Sequence, residues 1–385
     1  MATVVKTRPK PTSVDTLFKG MASMGVDVVE RIEKVPRRST GIMSLDLIWG
    51  GGLPMGRMML HFGDQATGKT TMWQLIARNL INRGEPVLWI DAERTLERGY
   101  MELLGLDPDA RDAKGRPLFT VVKPETAEQG FDALIMALEL GFHKLIVLDT
   151  LAKLLPAVEA DSSVGKAEMT QMARLASRLT RVYARALEQS NATFVVLNQA
   201  RVDIGSYGAP LISSGGKAIN AHEPSIAIKS GRNENQFADG KPAQLRFCWT
   251  ITKTKVGRYA PVQSVADYPQ LRVLCSDDAY EVDFGYELYF AADRLALLKD
   301  KEGKRWTKLG AYFEGDLLAT GKEKVAEFFN VSSPLRDRIE AAIYKAIADG
   351  ITTGNSHGVS DANAGQAESE AEESPADDAG LGDSD

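Results

Sequence analysis

Residues 63–70 read Gly-Asp-Gln-Ala-Thr-Gly-Lys-Thr and fit the pattern G-x-x-x-x-G-K-[ST]. Such a loop works only between a strand that delivers it and a helix that leaves it. Its backbone N–H groups must converge with a helix N-terminus on one anion. The flanks supply both: the apolar run Met58–Phe62 precedes the loop, and Thr70–Asn82 carries helical periodicity. In a loop of this kind the Lys69 ammonium reaches the β- and γ-phosphates of a nucleotide, and the Thr70 hydroxyl ligates Mg²⁺. The candidate phosphate-binding set is Gly63, Asp64, Gln65, Ala66, Thr67, Gly68, Lys69 and Thr70, with Thr71 next on the helix.

Three further short apolar runs end on a polar residue: Val87–Ile90 before Asp91, Leu145–Leu148 before Asp149, and Phe194–Leu197 before Asn198. Helix-like stretches, among them Glu128–Leu140 and Met169–Gln189, separate them. Buried strands alternating with helices predict an α/β fold with a mainly parallel sheet covered on both faces, whose ligands bind outside the carboxyl ends of the strands. Strand-like runs continue at Phe247–Thr252 and Gln270–Cys275. Asp149 then stands where a carboxylate holds Mg²⁺ behind a phosphate loop. Glu93, just past Asp91, is equally a candidate for activating water or a solvated loop acid. Gln199 is placed to sense the γ-phosphate or to make a strand-end hydrogen bond.

Composition sets the class. Hydrophobic residues are 44 % and charged residues 25 %, enough for a sizeable core. Cys248 and Cys275 are too few for a disulfide framework, and no apolar run reaches the ~20 residues of a membrane span. Secreted, membrane-spanning and disulfide-rich classes are not expected. The net charge of −6 conceals an asymmetry. Residues 346–385 hold ten acids and no Lys or Arg, leaving a mildly basic body, a pattern associated with nucleic-acid binding. Few large apolar residues occur in that tail, which is expected to be disordered. Leu17, Met21, Met24, Val28 and Ile32 predict a helix over Val14–Val35, interrupted by Gly20 and Gly25.

The segments Ser39-Thr40-Gly41, Ser44-Leu45-Asp46 and Gly51-Gly52-Leu53-Pro54-Met55-Gly56-Arg57, then the phosphate loop, Asp91-Ala92-Glu93 and Asn198-Gln199-Ala200-Arg201, resemble the bacterial RecA recombinase family in order and spacing. The resemblance covers roughly residues 38–274 closely and the remainder loosely. It implies a RecA-like P-loop NTPase core over residues 37–283, with a basic arm and N-terminal oligomerisation helix over 1–36. A small α/β domain that captures duplex DNA would span 284–347, and the acidic tail 348–385. It implies a cytoplasmic, DNA-dependent ATPase, with ATP and Mg²⁺, that polymerises on single-stranded DNA as a helical homopolymer and exchanges strands with homologous duplex. A single-strand-binding protein or loading factor is a further candidate partner. Cellular and bacteriophage origins both stay open.

By motif, the resemblance makes Glu93 the catalytic carboxylate and Gln199 the γ-phosphate sensor. Tyr100 matches the aromatic that stacks on adenine, and Glu97 stands where the family carries Asp. Lys253 and Lys255 match a pair reaching ATP on the neighbouring subunit; alone they read as a solvated strand face. The segments Glu159–Met169 and Arg201–Gly216 match two DNA-facing loops, with Met169 and Ile204 as wedges between bases. Arg174, Ser177, Arg181, Arg201, Gly215 and Gly216 are the expected backbone contacts. Arg174, Arg178, Arg181 and Arg185 also share one helical face. Asp203, and Ala221 with His222, depart from the family at the second loop and the subunit contact. Lys299, Lys301, Lys304, Arg305 and Lys308 read as a duplex-binding patch or a charged hairpin tip. The acidic tail is expected to compete with DNA for such surfaces. Two other classes remain: a ring-forming helicase or motor ATPase on the same core, and a non-enzymatic ATP switch, which the complete catalytic set disfavours.

Overall fold

The structure, a computed structural model, describes residues 13–25, 33–157, 169–202, 211–213, 224–231, 233–255, 270–304 and 310–348. The chain divides into two compact units between Pro36 and Arg37. In the first, helix α1 (Val14–Ser23) starts at Ser13, whose Oγ accepts the Thr16 N–H at 3.2 Å. It ends sooner than the periodicity predicts. Met24 is the C-cap, Gly25 takes φ +74°, and residues 33–36 are not helical. Val28 and Ile32 lie outside the described residues.

In the second unit, β1 (Arg37–Arg38) pairs antiparallel with β2 (Leu53–Pro54), and α2 (Met43–Ile48) lies between them in sequence. The main chain then alternates through β3 (Arg57–Gly63), α3 (Lys69–Asn82), β4 (Val87–Asp91), α4 (Arg98–Leu103), β5 (Phe119–Val122), α5 (Ala127–Leu140), β6 (Leu145–Asp149), α6 (Met169–Ser190) and β7 (Thr193–Val202). After β8 (Leu211–Ser213) come β9 (Ile226–Ser230), β10 (Gln236–Ala238), β11 (Lys241–Thr254), β12 (Gln270–Cys275) and β13 (Tyr280–Val282). Among the described residues these strands form one sheet in the order β13-β12-β11-β9-β3-β7-β6-β4-β5, with β10 on β11 and β8 on β7. The run from β9 to β5 is parallel; β11, β12 and β13 extend it antiparallel.

Strand alternation distributes the core. Met59, Val87, Trp89, Leu145, Val147, Val195 and Leu197 face one cluster with α3, and their neighbours Met58, Leu60, Leu88, Ile90, Ile146, Leu148, Phe194 and Val196 face the other with α5 and α6. Burial on both faces is why these strands read as continuous apolar runs. Trp49 stacks on Trp73 at 5.7 Å and meets Trp249 at 6.0 Å, joining α2, α3 and β11. No described helix is long and apolar enough to cross a membrane.

The chain closes with α7 (Phe284–Arg294), the antiparallel pair β14 (Ala311–Phe313) and β15 (Asp316–Ala319), α8 (Lys322–Asn330) and α9 (Pro334–Ala348). Their core includes Met43 and Leu47 of α2. Glu287 of α7 ties the two regions: Ser44 donates its N–H at 2.7 Å and its hydroxyl at 2.9 Å to the carboxylate. Burial raises the Glu287 carboxyl to about 7, the two Ser44 donors opposing. A carboxyl whose native pKa exceeds its unfolded one keeps its full contribution below the unfolded pKa and loses it as pH rises through the native value. Stability should therefore fall by about 3 kcal/mol between pH 4.5 and 7.5 on account of this residue. Glu287→Gln should lose that component, measured as the wild-type-minus-variant difference in urea unfolding at the two pH values. Equal slopes for both proteins would disprove it.

Candidate nucleotide site

The phosphate loop leaves the end of β3, and α3 begins at Lys69. Gly68 at φ +79° makes the turn into the helix, and a Cβ there would lie 2.0 Å from Phe247 Cδ1. Glycine is required both by the dihedral and by the aromatic ring beneath it. Ala66 also adopts a left-handed φ of +56°, and its carbonyl accepts Asn233 Nδ2–H at 2.8 Å. Thr67 Oγ1 donates to the Asp64 carbonyl at 2.8 Å. Below the loop, the Trp73 indole N–H donates to His61 Nδ1 at 3.0 Å, so Nε2 carries the proton and donates to Ser230 Oγ at 2.8 Å. Burial drives the His61 pKa down to about 3, which keeps this support neutral.

A cavity of about 440 Å³ opens above the loop, lined by residues 65–71 with Glu93, Thr95, Asp149, Thr150 and Gln199. Four strand ends converge here, since β4, β6, β7 and β3 are sheet neighbours and Asp91 is in register with Asp149. Lys69 Nζ donates to the carbonyls of Gly63 at 3.0 Å and Asp64 at 2.6 Å. Burial lowers its pKa, while Asp149, Glu93 and Asp64 pull it back up. Thr70 Oγ1 donates to Asp149 Oδ2 at 2.8 Å. Burial lifts the Asp149 carboxyl to about 6; the Thr70 hydroxyl opposes, and Glu93 and Asp91 add to the rise. Adjacent hydroxyl and carboxylate oxygens form the donor set that a hard divalent cation accepts. The loop's exposed backbone and the half-buried lysine suit a polyphosphate. The residues present therefore fit Mg²⁺ and a nucleoside triphosphate.

Glu93 is half-buried, its N–H donating to the Asp149 carbonyl at 3.0 Å. Gln199 sits where β7 passes the cavity, its N–H donating to Asn198 Oδ1 at 3.0 Å. Asn198 Nδ2 in turn donates to Ser213 Oγ at 2.8 Å, binding β7 to β8.

On the far side of the loop, Tyr100 shares a hydrogen bond with Thr71 Oγ1 at 2.8 Å, and its ring meets Tyr280 edge-on at 6.0 Å. Both oxygens of Glu97 cap α4, accepting the N–H groups of Gly99 at 2.8 Å and Tyr100 at 2.6 Å. These backbone bonds hold its pKa below the ordinary carboxyl value.

Lys253 and Lys255 are not among the described residues that line the cavity. Lys253 is on β11 past a register shift at residues 251–253, and Lys255 follows the strand, its N–H donating to the Ser225 carbonyl at 2.7 Å. In the sheet, β9 and β3 intervene between β11 and β7. Met169 opens α6, which also carries Arg174, Ser177 and Arg181; their side chains lie outside the description. Arg185 on the same helix and Arg201 on β7 are exposed. Ile204, Gly215 and Gly216, with Asp203, Ala221, His222, Arg305 and Lys308, lie outside the described residues. Lys299 bridges to Tyr312, and Lys301 and Lys304 sit on a turn that Asp300 closes by accepting the N–H groups of Glu302 and Lys304. Thr95, Thr150, Asn233 and the ring of Phe247 were missed in the sequence. They carry no motif, and only strand neighbourhood brings them to the loop.

The family model described as the RecA N-terminal domain matches residues 14–265. The protein RecA of Leifsonia xyli subsp. xyli is 33 % identical over 323 residues, covering 83 % of this chain and 83 % of that protein. The protein RecA of Rhodococcus jostii is 31 % identical over 331 residues, covering 85 % of this chain and 87 % of that protein. Among solved structures, the RadB recombinase aligns with a TM-score of 0.44 at 17 % identity, over 63 % of this chain and 98 % of that one.

Proposed function

The chain belongs to the RecA family, and from that membership we propose that it is an ATP-dependent homologous recombination and repair protein. It assembles as a helical filament on single-stranded DNA, pairs it with homologous duplex and exchanges strands, hydrolysing ATP to ADP and phosphate. The observation that carries this reading is one cavity, at the ends of adjacent parallel strands, lined by Lys69, Thr70, Glu93, Asp149 and Gln199 together.

In this reading Lys69 and the loop amides bind the β- and γ-phosphates, and Thr70 and Asp149 hold Mg²⁺. The metal, when bound, supplies charge neutralisation between those phosphates. Glu93 accepts a proton from the attacking water. Gln199 senses the γ-phosphate, and the Asn198–Ser213 bond offers a route from β7 to β8 and the second DNA loop. Tyr100 contributes an aromatic face for the base, and Lys253 and Lys255 extend towards the nucleotide of a neighbouring subunit. Met169, Ile204 and the basic residues of α6 and β7 meet DNA. The division into arm, core, duplex-binding region and tail is part of the same proposal, as is a cytoplasmic location. The relatives quoted are bacterial proteins, and they lend the bacteriophage origin no support.

The test is ATP hydrolysis with and without single-stranded DNA, with the same samples imaged by negative-stain microscopy. Hydrolysis should rise at least about tenfold on DNA, alongside helical filaments. Closed rings would transfer the chain to the motor class, and DNA-independent hydrolysis without polymers would refute both.

A further inference from the structure

We propose that Asp91 is the positioning residue of Glu93, clamping the turn between β4 and α4 in the shape that presents Glu93 to the cavity. This inference rests on the reading of Glu93 as the group that accepts the proton from water. Asp91 is the last residue of β4 and is 0 % exposed. Directly after it the chain turns, with the Ala92 and Glu93 N–H groups both donating to the Asp149 carbonyl, at 2.8 and 3.0 Å. Arg94 then adopts φ +58°, a left-handed conformation that a residue with a Cβ avoids. Across it, Asp91 Oδ1 accepts the Thr95 N–H at 3.3 Å. Glu93 is thus fixed on one side by Asp149 and on the other by the Asp91 clamp. The Asp91 bond is the one that spans Arg94 along the backbone, while Arg94 Nη2 reaches the Pro124 carbonyl at 3.5 Å.

The second oxygen shows that packing alone does not explain this residue. Asp91 Oδ2 is buried without a hydrogen-bond partner, and Lys123 Nζ stands 4.0 Å away. A buried carboxylate held by one long ion pair to Lys123 contributes little to folding, and an apolar side chain of the same size would fill the space as well. Only an acceptor can hold the Thr95 N–H, and strain and desolvation of this kind gather at functional sites.

The test is steady-state ATP hydrolysis on single-stranded DNA, with nucleotide affinity read separately from a fluorescent ATP analogue. D91A should lower kcat by about tenfold or more while KM stays within about twofold, because only the geometry of a group acting in the transition state has moved. D91N keeps an acceptor oxygen and should hold most of the rate. Glycine takes a positive φ unaided, so D91A/R94G should regain at least about threefold of the lost kcat. D91A/E93Q should be no slower than E93Q, since the two residues act as one unit. Where D91A does not fold, D91L fills the space without an acceptor and should slow kcat equally. A D91A loss that persists undiminished in the E93Q background, no recovery with R94G, or an unslowed D91L each overturns the inference. E93Q at the wild-type rate overturns the water-activation reading beneath it, whereas a slow E93Q beside an unslowed D91A removes only the role of Asp91.

Discussion

Glu93→Gln should lower the proposed DNA-stimulated ATP hydrolysis by about 10²–10⁴-fold and leave nucleotide binding intact. The amide keeps the volume and a hydrogen-bonding oxygen but has no basicity for the water proton, and general-base contributions lie in that range. The backbone of the turn is held by the Asp149 carbonyl and by Asp91, neither of which contacts the substituted atoms in the bonds described. Affinity should not suffer, because Glu93 adds negative charge to a pocket built for an anion; that same charge helps push the Asp149 carboxyl up. Phosphate release measured beside the binding of a fluorescent ATP analogue separates the two effects. A variant that retains half of the wild-type rate would remove Glu93 from the chemistry.

The second large effect belongs to Gly68. Gly68→Ala puts a methyl group 2.0 Å from Phe247 Cδ1, at a backbone φ of +79°. Left-handed backbone and core overpacking together should destabilise the protein by about 2–4 kcal/mol. The loop must shift to relieve the contact, and its N–H groups then no longer converge, so ATP affinity should fall by about 10²-fold or more. Urea unfolding and nucleotide titration measure the two losses. In Gly68→Ala combined with Phe247→Leu the clash is smaller while the dihedral is unchanged, so stability should recover in part. Unaltered ATP affinity in the single variant would show that the loop does not bind through its backbone.

Local pattern carried far along this chain. The helix expected over Thr70–Asn82 is observed as Lys69–Asn82, and the strand over Gln270–Cys275 has the predicted ends. The apolar runs ending at Gly63, Asp91, Asp149 and Asn198 are four neighbouring strands. Each of these signals is complete within a few residues, because periodicity records which faces of an element leave water. The failures are equally local. The strand Phe119–Val122 lies at the sheet edge with only one buried residue, and Thr120 interrupts its apolar residues. The first helix stops at Ser23 since Gly25 closes it, whatever apolar spacing follows.

The phosphate loop and the family were therefore determined by sequence alone, because contiguous residues encode both. Tertiary structure alone decided the site. The order β3-β7-β6-β4 gathers Lys69, Gln199, Asp149 and Glu93 from distant parts of the chain, and no local pattern states which strand neighbours which. The same placement sets the electrostatics: the raised Asp149 carboxyl, the neutral His61 and the half-paired Asp91 follow from burial beside particular neighbours. Desolvation depends on everything that surrounds a group in space, and a sequence lists only what precedes and follows it.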